Sequence, residues 1–132
     1  MPENESSVSI WTGGTRDANH FRVRYNGTVG ADGRIHAAGY DTDSSREIKH
    51  DIRKLEYDSD VIDQLQPVSF VYNRDESERP RYGLLYEDTL GLMPGICNED
   101  DEGKSISYVE LVPVLLNEVQ KLRARVKALE AA

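Results

Sequence analysis

A heptad repeat near the C-terminus constrains the fold of this chain more than any other feature of its sequence. Apolar residues recur there with spacings of 4, 3, 4, 3, 4 and 3, at Tyr108, Val112, Leu115, Val119, Leu122, Val126 and Leu129. This period predicts a helix over residues 108–132 that packs its apolar stripe against other helices in a coiled coil. Pro113 should kink the first turn or mark the true start of the helix. The repeat predicts an oligomer, and valine at a with leucine at d leans towards two strands.

Composition also points to partner subunits. The 132 residues are 38% hydrophobic, with a mean hydropathy of −0.62, so we expect subunits to complete one another's cores. The net charge of −8 argues against sequence-independent binding to nucleic acid or to an anionic membrane. A nucleic-acid zipper is excluded because no basic block precedes the heptads. No apolar run approaches the roughly 20 residues that a membrane span needs.

The sequence predicts neither a metal site nor a cofactor. Cys97 is the sole cysteine, so an intrachain disulfide and a Cys-rich metal site are excluded. His20 and His36 have no ligand partners at suitable spacing and are interpreted as surface residues. The acidic residues 98–103 lack the alternating ligands of an EF-hand and predict an acidic turn. Residues 1–5 lack the basic and apolar regions of a signal peptide, and we expect them to begin an excised fragment.

The N-terminal third has the pattern of short β-strands. Phe21, Val23 and Tyr25 alternate with arginines, and Asn26-Gly27 follows as a tight turn signal. Strands are predicted at residues 9–11, 21–25, 28–30 and 34–38, with a second turn at Asp32-Gly33. Strands this short are marginal in water unless other strands cover them. Residues 1–43 are therefore predicted to be the end of a β-rich stem covered by other copies of the chain, or else a small antiparallel meander.

The junction after this stem admits two interpretations. Ser44 and Glu47 fit a capping box, and Ile48, Ile52 and Leu55 share one face of a helix running to about Tyr57. In the simpler interpretation Ser44 is a helix cap and Lys49 a solvated residue. In the functional one, Ser44 attacks the carbonyl of Asp43 with a desolvated Lys49 as its base. Five helical residues rotate by about 500°, so the two side chains meet only if Ser44 lies outside the helix.

The segment beyond the junction predicts a small mixed domain. Asp60 can cap a short helix that Pro67 ends. Strands are predicted at residues 68–72 and 82–86, pairing across a charged loop, and a short helix at 87–93.

Four sequence blocks follow one another after residue 43, namely residues 44–52 (SSREIKHDI), 65–72 (LQPVSFVY), 81–87 (RYGLLYE) and 107–116 (SYVELVPVLL). In this order they resemble the intramolecular chaperone domain of phage endosialidases, tailspikes and tail fibres, the S74 peptidase family. The first three blocks resemble its S-D-x-x-L-K-x-x-I opening, its L-x-P-V-x-F-x-[WY] segment and its R-Y-G-L-I-A-[EQ] segment, and the fourth resembles the start of its last helix. Ser45 stands where the family has aspartate and is a rival nucleophile, and Tyr86 replaces a small residue.

The resemblance implies a C-terminal helper that trimerises a fibre, assists its folding and then cuts itself off. It implies Ser44 as nucleophile, Lys49 as base and a cut between Asp43 and Ser44. It also implies three chains, against the two that the heptads favour, with Val112, Leu115, Val119, Leu122, Val126 and Leu129 at the interface.

We therefore predict an α+β chain in an intertwined homotrimer. Residues 1–43 end the stem, and residues 44–132 form the chaperone, with a mixed part at 44–107 and the coiled-coil helix at 108–132. Its partner is the upstream fibre domain of the same chain, in a virion tail fibre precursor assembled in the bacterial cytoplasm. The main alternative is a non-catalytic trimerisation module that stays attached. A carbohydrate-binding fibre tip would need an exposed aromatic groove, for which Trp11 is the one modest candidate.

Overall fold

The computed structural model describes residues 21–132, which fall into two compact units. The first unit ends at Ile48 and the second runs from Lys49 to Ala132. The predicted strand at residues 9–11, Trp11 and His20 lie outside the described residues.

The described part of the first unit contains one antiparallel hairpin. Strand β1 (Phe21–Val23) pairs with β2 (Val29–Ala31), with Arg22 opposite Gly30. Gly27 has φ 86°, and Asn26 Oδ1 accepts a hydrogen bond from the Thr28 amide at 3.0 Å, so the predicted turn at Asn26-Gly27 is confirmed. The predicted strand at residues 34–38 is wrong, since that segment has no regular structure.

The junction contains a single helical turn in place of the predicted helix. A 3-10 turn covers Arg46–Ile48, and residues 49–57 form no helix or strand. Ile52 and Leu55, which should have formed the buried face, are about half exposed, and Asp51 has φ 52°. A short helix is held mainly by packing of its apolar face, and a single chain offers this face no cover.

The second unit begins with a helix and a strand pair. Helix α1 (Asp60–Gln64) is followed by β3 (Val68–Phe70), which pairs antiparallel with β4 (Arg81–Gly83). Both elements confirm the sequence prediction, although the strands are shorter than expected. Asp58, two residues before the predicted cap, accepts the Asp60 amide at 2.9 Å.

Two further elements precede the long helix. Helix α2 (Tyr86–Leu90) leads through a 3-10 turn (Pro94–Ile96) into a hairpin of β5 (Cys97–Asp100) and β6 (Gly103–Ile106). The acidic turn was predicted, but its flanking strands were not, and Tyr86 begins a helix instead of ending a strand. Helix α3 (Tyr108–Glu130) confirms the predicted C-terminal helix and contains Pro113 in its interior.

Little of the described chain is buried. Ile96 and Val114 are buried, together with Thr89, whose hydroxyl donates to the Leu85 carbonyl at 2.8 Å. Many large apolar side chains stay exposed, as the lean composition predicts. The fold class is thus confirmed as α+β, with short antiparallel strand pairs and a long C-terminal helix, whereas the intertwined trimer stays a prediction.

Candidate functional site

The candidate site begins at the junction, where the chain is exposed. Residues 43–50, which include Ser44 and Lys49, are all exposed. Ser45 Oγ accepts the Glu47 amide at 3.2 Å, so this rival nucleophile stabilises the 3-10 turn. Ser44 lies in the first unit and Lys49 opens the second, and the Ser–Lys dyad with its cut after Asp43 stays a prediction.

The chain reaches helix α3 eight residues after Lys49, through the side chain of Tyr57. The Tyr57 hydroxyl lies 2.7 Å from Glu118 Oε2 and 3.0 Å from the carbonyl oxygen of Val114, and it donates to these acceptors. Burial raises the pKa of Tyr57 to about 12, and the hydrogen bond and negative charge of Glu118 act in the same direction. The hydroxyl therefore remains a donor at neutral pH.

Two more side chains complete this cluster. Ser59 Oγ donates to Glu118 Oε2 at 3.2 Å and accepts from Lys121 Nζ at 3.1 Å. Lys121 Nζ also lies 4.3 Å from the Tyr57 ring centroid and 4.0 Å from Glu118 Oε2. We call Tyr57, Ser59, Glu118 and Lys121 the clasp.

Ser59 and Lys121 are themselves a serine and a lysine at hydrogen-bond distance. Lys121 here has the partners of an ammonium cation, namely a carboxylate and an aromatic face, so it acts as a donor to Ser59. The contact is therefore structural and does not provide a second nucleophile.

Sequence reasoning missed the clasp. The heptad pattern predicts Glu118 and Lys121 as charges on the outer positions of a coiled coil, and the predicted junction helix ends at about Tyr57. The available signal was the spacing of Val114, Glu118 and Lys121, which are four and three residues apart. Residues at this spacing share a helix face, so these three mark a second face of α3 beside the heptad stripe.

The predicted interface residues lie on a different face of α3, which we call the seam. Their side chains range from 45% exposed at Leu115 to 76% at Leu129. The seam consists of Val112, Leu115, Val119, Leu122, Val126 and Leu129. Val109 and Leu116, at e positions of the same heptads, are exposed as well and widen the apolar strip at its N-terminal end.

Tyr108, the first member of the repeat, is engaged within the chain. Its hydroxyl accepts the Leu84 amide at 2.8 Å and approaches the Leu84 carbonyl at 3.4 Å. A Cβ at Gly83 would collide with this hydroxyl, so the glycine is what lets the start of α3 sit against the end of β4.

No metal site emerges from residues 21–132, where no cluster of three histidine, cysteine, aspartate or glutamate side chains could hold an ion. Cys97 is a free, half-buried thiol whose pKa is raised by burial. Within the same residues, no helix is long and apolar enough to cross a bilayer.

Comparison with known protein families gives a match, and the matched stretch includes the junction. Residues 44–95 match the S74 peptidase family, described as the chaperone of endosialidase. The match runs from Ser44 to Gly95 and covers less than half of the chain. The predicted resemblance is confirmed over this stretch. No curated protein and no solved structure gives a significant match.

Proposed function

Because residues 44–95 match the chaperone of endosialidase, we propose that residues 44–132 are the C-terminal intramolecular chaperone of a phage tail fibre or tailspike. The chaperone trimerises the chain, assists folding of the upstream stem and releases itself by one cut between Asp43 and Ser44. The observation that carries this proposal is that the family match starts at Ser44, the proposed nucleophile.

The seam of α3 supports assembly between copies. An exposed apolar stripe on a 23-residue helix is stable in water only when partners cover it. Valine at a with leucine at d favours two strands, but apolar e positions at Val109 and Leu116 widen the strip. A strip with apolar a, d and e positions suits a bundle of more than two helices, which supports three chains.

The β1–β2 hairpin supports the need for a helper. Its strands have three residues each, and Val23, Tyr25 and Val29 are more than half exposed. Such a hairpin gains little from folding alone. A coiled coil that first holds three stems in register removes much of the entropic cost of pairing their strands.

The cleavage step follows from a serine beside a peptide bond. Ser44 Oγ attacks the Asp43 carbonyl carbon while Lys49, as the free amine, takes the hydroxyl proton. The Asp43–Ser44 C–N bond breaks, and the proton passes to the departing amine of Ser44. Water then hydrolyses the resulting ester, which leaves the Asp43 carboxylate and a free Ser44 N-terminus. Lys49 is exposed in the single chain, so we expect it to become a base only after assembly covers it.

Release would take place in the bacterial cytoplasm, on a precursor of the virion tail fibre. Once the helper has left, an unfolded stem cannot easily reassemble, so its stability becomes kinetic.

The test compares the parent with Ser44→Ala and Lys49→Ala by intact mass and denaturing gel. We expect the parent to give two fragments that meet at the Asp43–Ser44 bond and both variants to stay intact. Ser45→Ala is the matched control and should still cleave, because it removes only a turn contact. A parent that remains one intact, folded trimer would disprove self-cleavage and leave an attached trimerisation module.

A further inference from the structure

The clasp joins a segment without regular structure to the helix that carries the seam. Residues 49–57 form no helix or strand, so side-chain contacts must set their path. Tyr57 and Ser59 supply such contacts at the end of this segment. Lys49, the proposed base, lies at its beginning.

The distances along the chain make such an anchor important. Eight residues can extend over roughly 25–30 Å, so the path of residues 49–57 strongly affects where Lys49 lies. Reaction between two groups requires near-contact geometry, and a misplacement of about 1 Å can cost roughly 100-fold in rate. A fixed point at Tyr57 limits the paths open to this segment and therefore the positions that Lys49 can take.

The clasp is built to hold this point firmly. Glu118 accepts from both Tyr57 and Ser59, and its side chain is only 17% exposed. Bonds to an ionised carboxylate in a site shielded from water are stronger than neutral ones. Lys121 closes the cluster by contacting the Tyr57 ring and the Ser59 hydroxyl.

The position of the clasp on α3 links it to assembly. Val114, Glu118 and Lys121 directly adjoin seam residues Leu115, Val119 and Leu122 in the sequence. When partner helices cover the seam, they also fix the backbone that carries the acceptors of Tyr57. Ordering of the helix is thereby transmitted to the segment that starts at Lys49.

We propose that the clasp is a positioning device for self-cleavage, through which the assembled helix α3 orders the segment that carries Lys49. This inference rests on the proposed function. Its residues are positioning residues, because they act through Lys49 and do not touch the reacting atoms.

The test measures the cleavage rate of isolated trimers of the full chain by intact mass, well below the unfolding temperature. Tyr57→Phe removes one hydroxyl and should slow cleavage at least about tenfold, and Glu118→Leu should do so at least as strongly. Glu118→Gln keeps a carbonyl acceptor and should cleave much faster than Glu118→Leu. Because the three side chains have similar volumes, a difference in packing volume would not explain that result. Tyr82→Phe removes a hydroxyl from a side chain that is 87% exposed and should cleave at the parent rate.

A second readout uses the uncleavable Ser44→Ala chain, in which hydrogen exchange reports order directly. Tyr57→Phe should increase exchange of the amides of residues 50–57 while the trimer and the protection of α3 persist. If Tyr57→Phe and Glu118→Leu trimers cleave like the parent, the inference is overturned and the proposed function stands. If the parent itself stays intact as a folded trimer, both are overturned together.

Discussion

The two faces of helix α3 use opposite chemistry. The face towards its own domain holds Val114, Glu118 and Lys121 and is held by hydrogen bonds and charge as well as by the buried Val114 side chain. The seam is apolar and exposed. An ordinary amphipathic helix does the reverse, since it packs its apolar stripe on its own domain and shows polar residues to water. The difference teaches that directional contacts place this helix on its own domain while its apolar stripe stays exposed, as the proposed assembly of several copies requires.

The sharpest way to break this comparison is to place a charge in the seam. Leu122→Asp would bury a carboxylate between helices, which costs several kcal/mol unless the group is paired. By light scattering at micromolar concentrations, we expect this variant to be monomeric and the parent to be trimeric. Gln120→Asp, on an exposed position of the same helix outside the seam, should remain trimeric. Trimers of Leu122→Asp would show that the seam is not the interface.

The next largest effect is expected on the free energy of unfolding, when the contact between Tyr108 at the start of α3 and Gly83 at the end of β4 is disturbed. In Gly83→Ala the added Cβ collides with the Tyr108 hydroxyl, and such overpacking typically costs about 1–3 kcal/mol. Denaturant unfolding should show this loss. Gly91→Ala is the control, because a Cβ there meets no atom within 4 Å and its φ of −74° suits alanine, so we expect a change within about 0.5 kcal/mol. Equal losses in both variants would contradict the close approach.

The clasp predicts a specific dependence on alkaline pH. The pKa of Tyr57 is about 12 in the folded chain against 10.0 for an ordinary tyrosine, so folding favours the neutral hydroxyl. This stabilisation is complete below pH 10 and is lost as the pH rises towards 12. Unfolding free energies measured across that range should fall more steeply in the parent than in Tyr57→Phe, with Tyr82→Phe behaving like the parent. Parallel slopes in all three proteins would be inconsistent with a Tyr57 hydroxyl held as a donor to Glu118.

The smallest expected effect concerns a polar atom on the face towards the domain. Asn117 Oδ1 is buried and has no hydrogen-bond partner among the described residues. Removing an unsatisfied group should be neutral or stabilise by up to about 1 kcal/mol, so we expect Asn117→Leu to unfold at the parent's denaturant concentration or slightly above it. Gln120→Leu, at an exposed position of the same helix, is the control and should be near neutral because glutamine and leucine have similar helix propensities. A loss beyond about 1 kcal/mol would show that the amide makes a contact in the trimer.

Sequence reasoning succeeded where the signal is periodic or local. The heptads predicted α3 within two residues of its ends, and Asn26-Gly27 and the β3–β4 pair followed from turn chemistry and β-branched or aromatic residues. The sequence did not predict the β5–β6 hairpin, because its cross-strand pairs, such as Glu99 with Lys104, are charged and do not alternate with apolar residues. The periodic signal of Ile52 and Leu55 misled because the face it marks has no partner within one chain.

The candidate site was less accessible to sequence reasoning than the fold. Ser44 and Lys49 came from a family pattern, which locates residues without giving their geometry. The clasp joins residues about 60 positions apart, as in the pair of Tyr57 and Glu118. Contacts at such separation depend on the folded path, and no local propensity encodes them.

The proposed assembly through the exposed seam would make the stability of this chain depend on its concentration. A fold completed only by other copies gains free energy with each rise in chain concentration, and its unfolding temperature rises accordingly. Dilution alone would therefore loosen α3 without any change of temperature or solvent. Three chains held side by side on one growing fibre would meet at a high effective concentration, whereas stray single copies would remain weakly folded.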